Sequence, residues 1–239
     1  MYGYGYRYNS GLVVGAGGGA PFVNTYSTLL DGIDDYLDIG TALNLGTDST
    51  ISLWIKRGRV STVEMLLGED TYSFDVASYI DASNTLLFKI GTFGSNFNAF
   101  PIANTLNDMT NWIHICWVRS GDSVELFLNG ASMQTKTGFG TVVDTRFDTI
   151  GAKPTGTLTF MGNIDEVATW NTNTIVPSDI YNGGTPTDLN LLDAPPLSWW
   201  RMGDGVTAFP TIPDVGSLAS NDGTAYNENE ATMIVPNVP

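Results

Sequence analysis

A chain of 239 residues with 42% hydrophobic and 11% aromatic side chains carries enough apolar surface for a core, which argues against a disordered polymer. Its 25 acidic and 10 basic residues give a formal net charge of −15. Such a field repels polyanions and argues against a nucleic-acid partner, whose phosphates are held mainly by Lys and Arg. The lone cysteine, Cys116, excludes an internal disulfide framework and a cysteine-based zinc site, and no run of about 18 apolar residues is present to insert into a membrane.

Residues 1–26 differ in composition from the rest. Tyr2, Tyr4, Tyr6 and Tyr8 alternate with Gly and Arg, so an extended backbone sets all four rings on one face. This reads as an arm for subunit contact, because tyrosine offers a large contact area at low side-chain entropy cost. A Gly-rich connector, residues 15–21, follows. No basic segment precedes an apolar one near Met1, so no secretory signal is expected.

From residue 27 onward strand signals recur between Gly- and Pro-rich turns. Residues 50–56 and 85–90 largely alternate apolar and polar side chains, as half-buried strands do. Residues 112–118 are apolar on both faces and predict an inner strand, with Cys116 as a buried, inert thiol. Residues 123–128 end in Asn129-Gly130, a strong hairpin signal. Further strands are expected at 157–161 and 164–170, a short helical turn at 177–181, and a last strand at 232–235. Antiparallel strands with apolar faces to cover give an all-β, two-sheet sandwich.

Several segments together resemble the laminin G-like branch of the concanavalin A-like jelly rolls. They are Leu30-Asp31-Gly32-Ile33-Asp34-Asp35-Tyr36-Leu37, Ile51-Ser52-Leu53-Trp54-Ile55-Lys56, Trp112-Ile113-His114 with Trp117-Val118-Arg119, Val124-Glu125-Leu126-Phe127-Leu128-Asn129-Gly130, Ile150-Gly151, and Phe160-Met161-Gly162-Asn163-Ile164-Asp165-Glu166-Val167. The later Trp199-Trp200-Arg201-Met202-Gly203-Asp204-Gly205 is similar to the C-terminal continuation of versions encoded by tailed bacteriophages. The resemblance implies a jelly roll over residues 27–205, with residues 1–26 as arm and 206–239 as a tail packed on the sandwich. It also implies a closing strand at 199–202 that pairs near the N-terminal edge.

Glucanases of this fold place catalytic carboxylates at alternate positions of one strand. Here the nearest pair, Asp165-Glu166, is adjacent, which in a regular strand sends the side chains to opposite faces, so no catalytic residues and no enzyme activity are expected. His114, among apolar neighbours, reads as a structural histidine. Some relatives bind calcium at the sandwich rim, and Asp31, Asp34, Asp35 and Asp165 are the candidate oxygen ligands, the alternative being turn chemistry in which Asp caps backbone amides. Most tryptophans are expected in the core. Residues 93–100 mix aromatics and amides without strand periodicity, which makes Phe93, Asn96, Phe97 and Asn98 a candidate glycan or partner loop.

The resulting expectation is a non-catalytic virion protein of a tailed bacteriophage, a capsid decoration or a tail or fibre component. Its expected partners are other virion proteins, further copies of itself and host glycans. The alternative is a carbohydrate-binding module of a cellular organism.

Overall fold

A computed structural model describes residues 22–69, 77–90, 97–100, 106–227 and 229–239. Among the described residues, two antiparallel sheets of eight strands each face one another. The first runs, edge to edge, Ala131–Thr137 (β10), Ser123–Leu128 (β9), Ile113–Ser120 (β8), Asp48–Arg57 (β3), Met161–Trp170 (β12), Ser27–Asp31 (β1) and Ile234–Val235 (β16), with Ser198–Trp200 (β13) also paired to β12. The second runs Thr211–Ile212 (β14), Gly223–Tyr226 (β15), Tyr36–Gly46 (β2), Thr145–Ile150 (β11), Glu64–Gly68 (β4), Ala77–Ile80 (β5), Leu86–Lys89 (β6) and Phe97–Phe100 (β7). The expected all-β jelly-roll sandwich is what forms.

Alternation along the strands builds the core. Ile51, Leu53 and Ile55 of β3, Ile113, Ile115 and Trp117 of β8, and Ile164 and Val167 of β12 point between the sheets to meet Leu37, Phe88 and Phe147. The intervening residues of the first sheet are buried too. Cys116, Ala168, Trp170 and Trp199 join a second apolar cluster with Ile180 and Leu189, which come from the segment between β12 and β13. That segment includes the short helix Pro177–Tyr181 (α1). It covers the outer face of the first sheet, so β3 is buried on both faces where alternation predicted half-burial.

Other sequence expectations divide in the same way. The Asn129-Gly130 turn forms with positive φ at both positions, 48° and 75°, and joins β9 to β10 in antiparallel register, the backbone twist a two-residue hairpin requires. Residues 157–160 form no strand; they belong to a turn-rich loop, and β12 begins only at Met161. Residues 97–100, expected as loop, pair with β6, with Phe100 opposite Leu86. Phe100 is fully buried in the core, and the Asn at position 98 hides the strand because Asn is depleted in strands. β13 pairs with β12 just beyond the stretch that pairs with β1. The expected strand at 232–235 is half helical turn, Glu230–Met233 (α2), and half β16.

Buried arginines tie the two sheets together. The Glu64 carboxylate on β4 accepts from Arg57 Nε at 3.1 Å and Nη2 at 2.6 Å, from Arg59 Nε at 2.9 Å and from the Met161 amide at 3.1 Å. Arg57 Nη1 donates to Asn84 Oδ1 at 3.0 Å and to the Leu106 carbonyl at 2.6 Å. Arg119 on β8 similarly donates to Thr145 Oγ1 of β11 at 3.0 Å and to the Gly140 carbonyl at 2.9 Å. The side chains of Arg57 and Glu64 are both fully buried, so removing one leaves the other as an uncompensated charge. Glu64→Ala is expected to lower the unfolding free energy by about 3–5 kcal/mol, measured by urea titration followed through tryptophan fluorescence.

Candidate functional site

The rim turn between β1 and β2 carries three of the four expected calcium ligands. Carboxylate oxygens of Asp31, Asp34 and Asp35 lie within 4.8 Å of one another. Much of this set already serves the turn. Asp31 Oδ1 accepts from the Ile33 amide at 2.6 Å and the Asp34 amide at 3.4 Å, and Asp35 Oδ2 accepts from the Asp31 amide at 2.9 Å. Gly32 takes φ of +77°, and Arg59 Nη1 donates to its carbonyl at 3.0 Å. Asp34 is exposed, Asp31 half-buried and Asp35 buried, whereas calcium takes six to eight oxygens, and the Arg59 guanidinium stands beside the turn. The arrangement fits turn capping better than a calcium cage.

Asp165 does not join this cluster. It lies four residues along β12 from Met161, the partner of Asp31, about 13 Å away at a strand's rise per residue. There β12 is irregular. Its pairing with β3 shifts between Asp165 and Ala168, and Glu166 takes a positive φ of 49°, the signature of a bulge. The bulge overturns the expectation that Asp165 and Glu166 point apart. Both are buried, and the Glu166 charge disfavours ionisation of Asp165.

The surroundings of this pair hold the start of the described chain. Asn24 Nδ2 donates to Asp165 Oδ2 at 2.9 Å, and Trp199 Nε1 to Glu166 Oε2 at 2.5 Å. Arg201 Nε reaches Glu166 Oε1 at 3.3 Å, its Nη2 donates to the Val23 carbonyl at 2.5 Å, and its guanidinium lies 4.3 Å from the Phe22 ring centroid. Asp204 Oδ2 accepts from the Thr25 and Tyr26 amides at 2.9 and 3.4 Å. A depression of about 490 Å³ beside Arg201 is lined by Phe22, Val23, Asp188, Asn190, Trp199 and Val215.

Burial pushes the Glu166 carboxyl up to about 7, against the lowering effect of Arg201 and Trp199, and burial followed by the Glu166 charge pushes Asp165 up as well. In the folded chain both therefore keep protons to higher pH than in the unfolded chain. The folded state binds more protons from the ordinary carboxylate range up to about pH 7, so stability falls as pH rises through that window.

The aromatic candidates are mostly core. Trp54, Trp117, Trp170, Trp199 and Trp200 are buried, and only Trp112 is half-buried. His114 is fully buried, bonded through Nε2 to Ser52 Oγ at 2.7 Å, with its ring 4.9 Å from Trp54; desolvation pushes it down to about 3, so it stays neutral. Burial raises the Cys116 thiol far above its usual range, which keeps it inert. Phe93 and Asn96 of the proposed glycan loop lie outside the described residues, as do Tyr2, Tyr4, Tyr6 and Tyr8. Phe97 and Asn98 stand on β7.

One aromatic feature went unread in the sequence. Tyr226 of β15 pairs in register with Tyr36 of β2, and their rings stack 4.9 Å apart at an interplanar angle of 6°. Tyr36 directly follows Asp34-Asp35, so this pair stands beside the rim turn. Asn227 Nδ2 also donates to the Asp34 carbonyl at 2.5 Å. The short alternation Gly223-Thr224-Ala225-Tyr226 signals a strand but not which strand it joins.

A laminin G-type family model, described as the concanavalin A-like lectin/glucanases superfamily, matches residues 31–180. The chain belongs to that superfamily. None of the curated proteins matches it. Among solved structures, a Bacteroides ovatus protein proposed to bind carbohydrate superposes with a TM-score of 0.62 at 14% identity over 91% of this chain, which spans 63% of that protein. A heptameric SAP-like pentraxin from Limulus polyphemus gives 0.55 at 14% identity over 88% of this chain and 99% of its own. The CBM40 module of a Ruminococcus gnavus sialidase, bound to α2,3 sialyllactose, gives 0.51 at 14% identity over 66% of this chain and 96% of its own. At such identities the likeness is one of fold.

Glu166→Gln is expected to flatten the pH dependence of stability. Between pH 5.5 and 8 the unmodified chain should lose on the order of 2 kcal/mol from the raised Glu166 carboxyl, and the variant clearly less, as read from urea midpoints at the two pH values.

Proposed function

We propose that this domain is a non-catalytic glycan-binding module. The observation that carries the reading is the superposition of 91% of the chain on the fold of a protein proposed to bind carbohydrate, with a sialyllactose-bound module among the other similar structures. The acidic pair supports the non-catalytic half. A glycosidase needs two carboxyl groups flanking a scissile bond, one of them open to water or substrate. Asp165 and Glu166 are instead buried and spent on Asn24, Trp199 and Arg201. A glycan array should show saccharide binding, and prolonged incubation with the bound glycans should release no reducing sugar. Turnover that depends on Asp165 or Glu166 would overturn the reading.

A second reading, a virion component that assembles through residues 1–21, has one structural observation in its favour. The root from which that arm leaves is fixed to the sandwich at Val23, Asn24, Thr25 and Tyr26 by Arg201, Asp165 and Asp204. In this reading the intact chain forms an oligomer in size-exclusion chromatography with light scattering, and deletion of residues 1–21 converts it to a folded monomer. A monomeric intact chain removes it.

A further inference from the structure

The two sheets offer different surfaces. The outer face of the first is covered by the segment between β12 and β13, whose Ile180 and Leu189 bury Cys116, Ala168 and Trp170. The part of the second sheet formed by β15 and β2 keeps its outward positions in contact with solvent. Along β2 the outward residues Tyr36 and Asp38 are half-buried while Leu37 and Ile39 point into the core. Along β15 Thr224 and Tyr226 are exposed while Ala225 points inward. In register, Thr224 stands opposite Asp38 and Tyr226 opposite Tyr36. Among the described residues, the uncovered patch is therefore one aromatic pair and one polar pair, side by side.

The tyrosine pair has a fixed orientation. One face of the Tyr36 ring meets Tyr226, and the turn containing Gly156 lies close by, where an added Cβ would be 3.5 Å from the Tyr36 ring. Tyr226 is the outer ring, 40% exposed, and Tyr36 backs it from behind. Burial, and then the neighbouring Tyr226 and Asp38, hold the Tyr36 phenol above its usual value, so that ring remains a neutral hydroxyl-bearing surface near pH 7. Asp38 acts on Tyr36 from the same strand while its Oδ1 accepts from the Gly40 amide at 2.6 Å; Asp34 lies in the adjoining turn, where its carbonyl takes the Asn227 amide, and Thr224 offers a hydroxyl on the exposed side of β15.

This is the chemistry of a sugar contact. An aromatic ring gives the apolar C–H face of a pyranose a flat surface to cover, and adjacent carboxylate and amide groups pair with its hydroxyls, the pattern of an apolar surface with a few placed polar groups. The charges also select. Asp34 and Asp38 beside the rings, within a chain of net charge −15, repel carboxylate-bearing sugars and accept readily from neutral hydroxyls. The patch lies on an open sheet face and not in an enclosed cleft, which suits residues within an extended chain better than a single terminal sugar.

Resting on the glycan-binding reading above, we infer that the Tyr36–Tyr226 pair on the open face of the second sheet is the contact site for a neutral, hydroxyl-rich saccharide chain, flanked by Asp34, Asp38, Thr224 and Asn227. Sialylated and uronate-containing chains are the class it rejects.

The test uses the full chain on an array carrying neutral glucans, mannans, galactans and xylans together with sialylated and uronate-containing chains, followed by calorimetric titration with the strongest binder. Neutral chains are expected to bind best. Tyr226→Ala should weaken the affinity at least tenfold with little change in melting temperature, and Tyr226→Trp should restore it. Thr224→Lys, which sets a cation beside the rings, should narrow the gap between neutral and acidic chains. A wild-type chain that binds glycans equally well as Tyr226→Ala overturns this site and leaves the glycan-binding reading standing. Strongest binding to acidic chains overturns the specificity, and a wild-type chain that binds no saccharide overturns both.

Discussion

The Glu64 carboxylate is the point on which the sandwich and its rim turn both depend. It reaches from one sheet to Arg57 on the other, takes the first amide of β12 at Met161, and holds Arg59. Arg59 in turn donates to the Gly32 carbonyl in the rim turn. A buried charge of this kind contributes little net stability against an apolar substitute of the same shape, but once present it fixes geometry, because any loss of a partner strands a charge in low dielectric. The position of Asp31, Asp34 and Asp35, and with them the start of the strand that carries Tyr36, follows from that fixed geometry.

Among the described residues, covering one sheet and leaving part of the other open gives the molecule a covered side and an open side. On the covered side the aromatic residues are core: Trp54, Trp170 and Trp199 lie under α1 and its flanking loops or against Phe22 and Tyr181. The same side contains the Asp165–Glu166 pair, whose burial raises both carboxyls and whose one guanidinium partner, Arg201, also grips the backbone at Val23. Those carboxylates serve attachment of the chain's start.

How far the sequence reached is seen best at particular residues. Alternation in β9 and the Asn129-Gly130 turn were legible because they depend on neighbours a few positions apart. The Asp31, Asp34 and Asp35 grouping was legible for the same reason, being a single turn. Asp165 stands apart from that group because β1 pairs Asp31 with Met161, four residues along β12 from Asp165. Its opposition to Glu166 failed because one residue in a positive-φ bulge resets the face on which the side chains stand. The loop reading of residues 97–100 failed because pairing with β6, not local propensity, makes that segment a strand.

The sequence by itself determined the class of fold, the inertness of Cys116 and His114, and the adjacent, not alternating, spacing of Asp165 and Glu166, since each follows from composition or from local spacing. Only the tertiary structure decided which face of each sheet is open, that Asp165 and Glu166 share one buried environment, and that Tyr36 meets a ring 190 positions away. The reason is physical: strand periodicity tells which residues share a face, but pairing between distant strands, set by burial over the whole core, decides which faces meet and which remain in water.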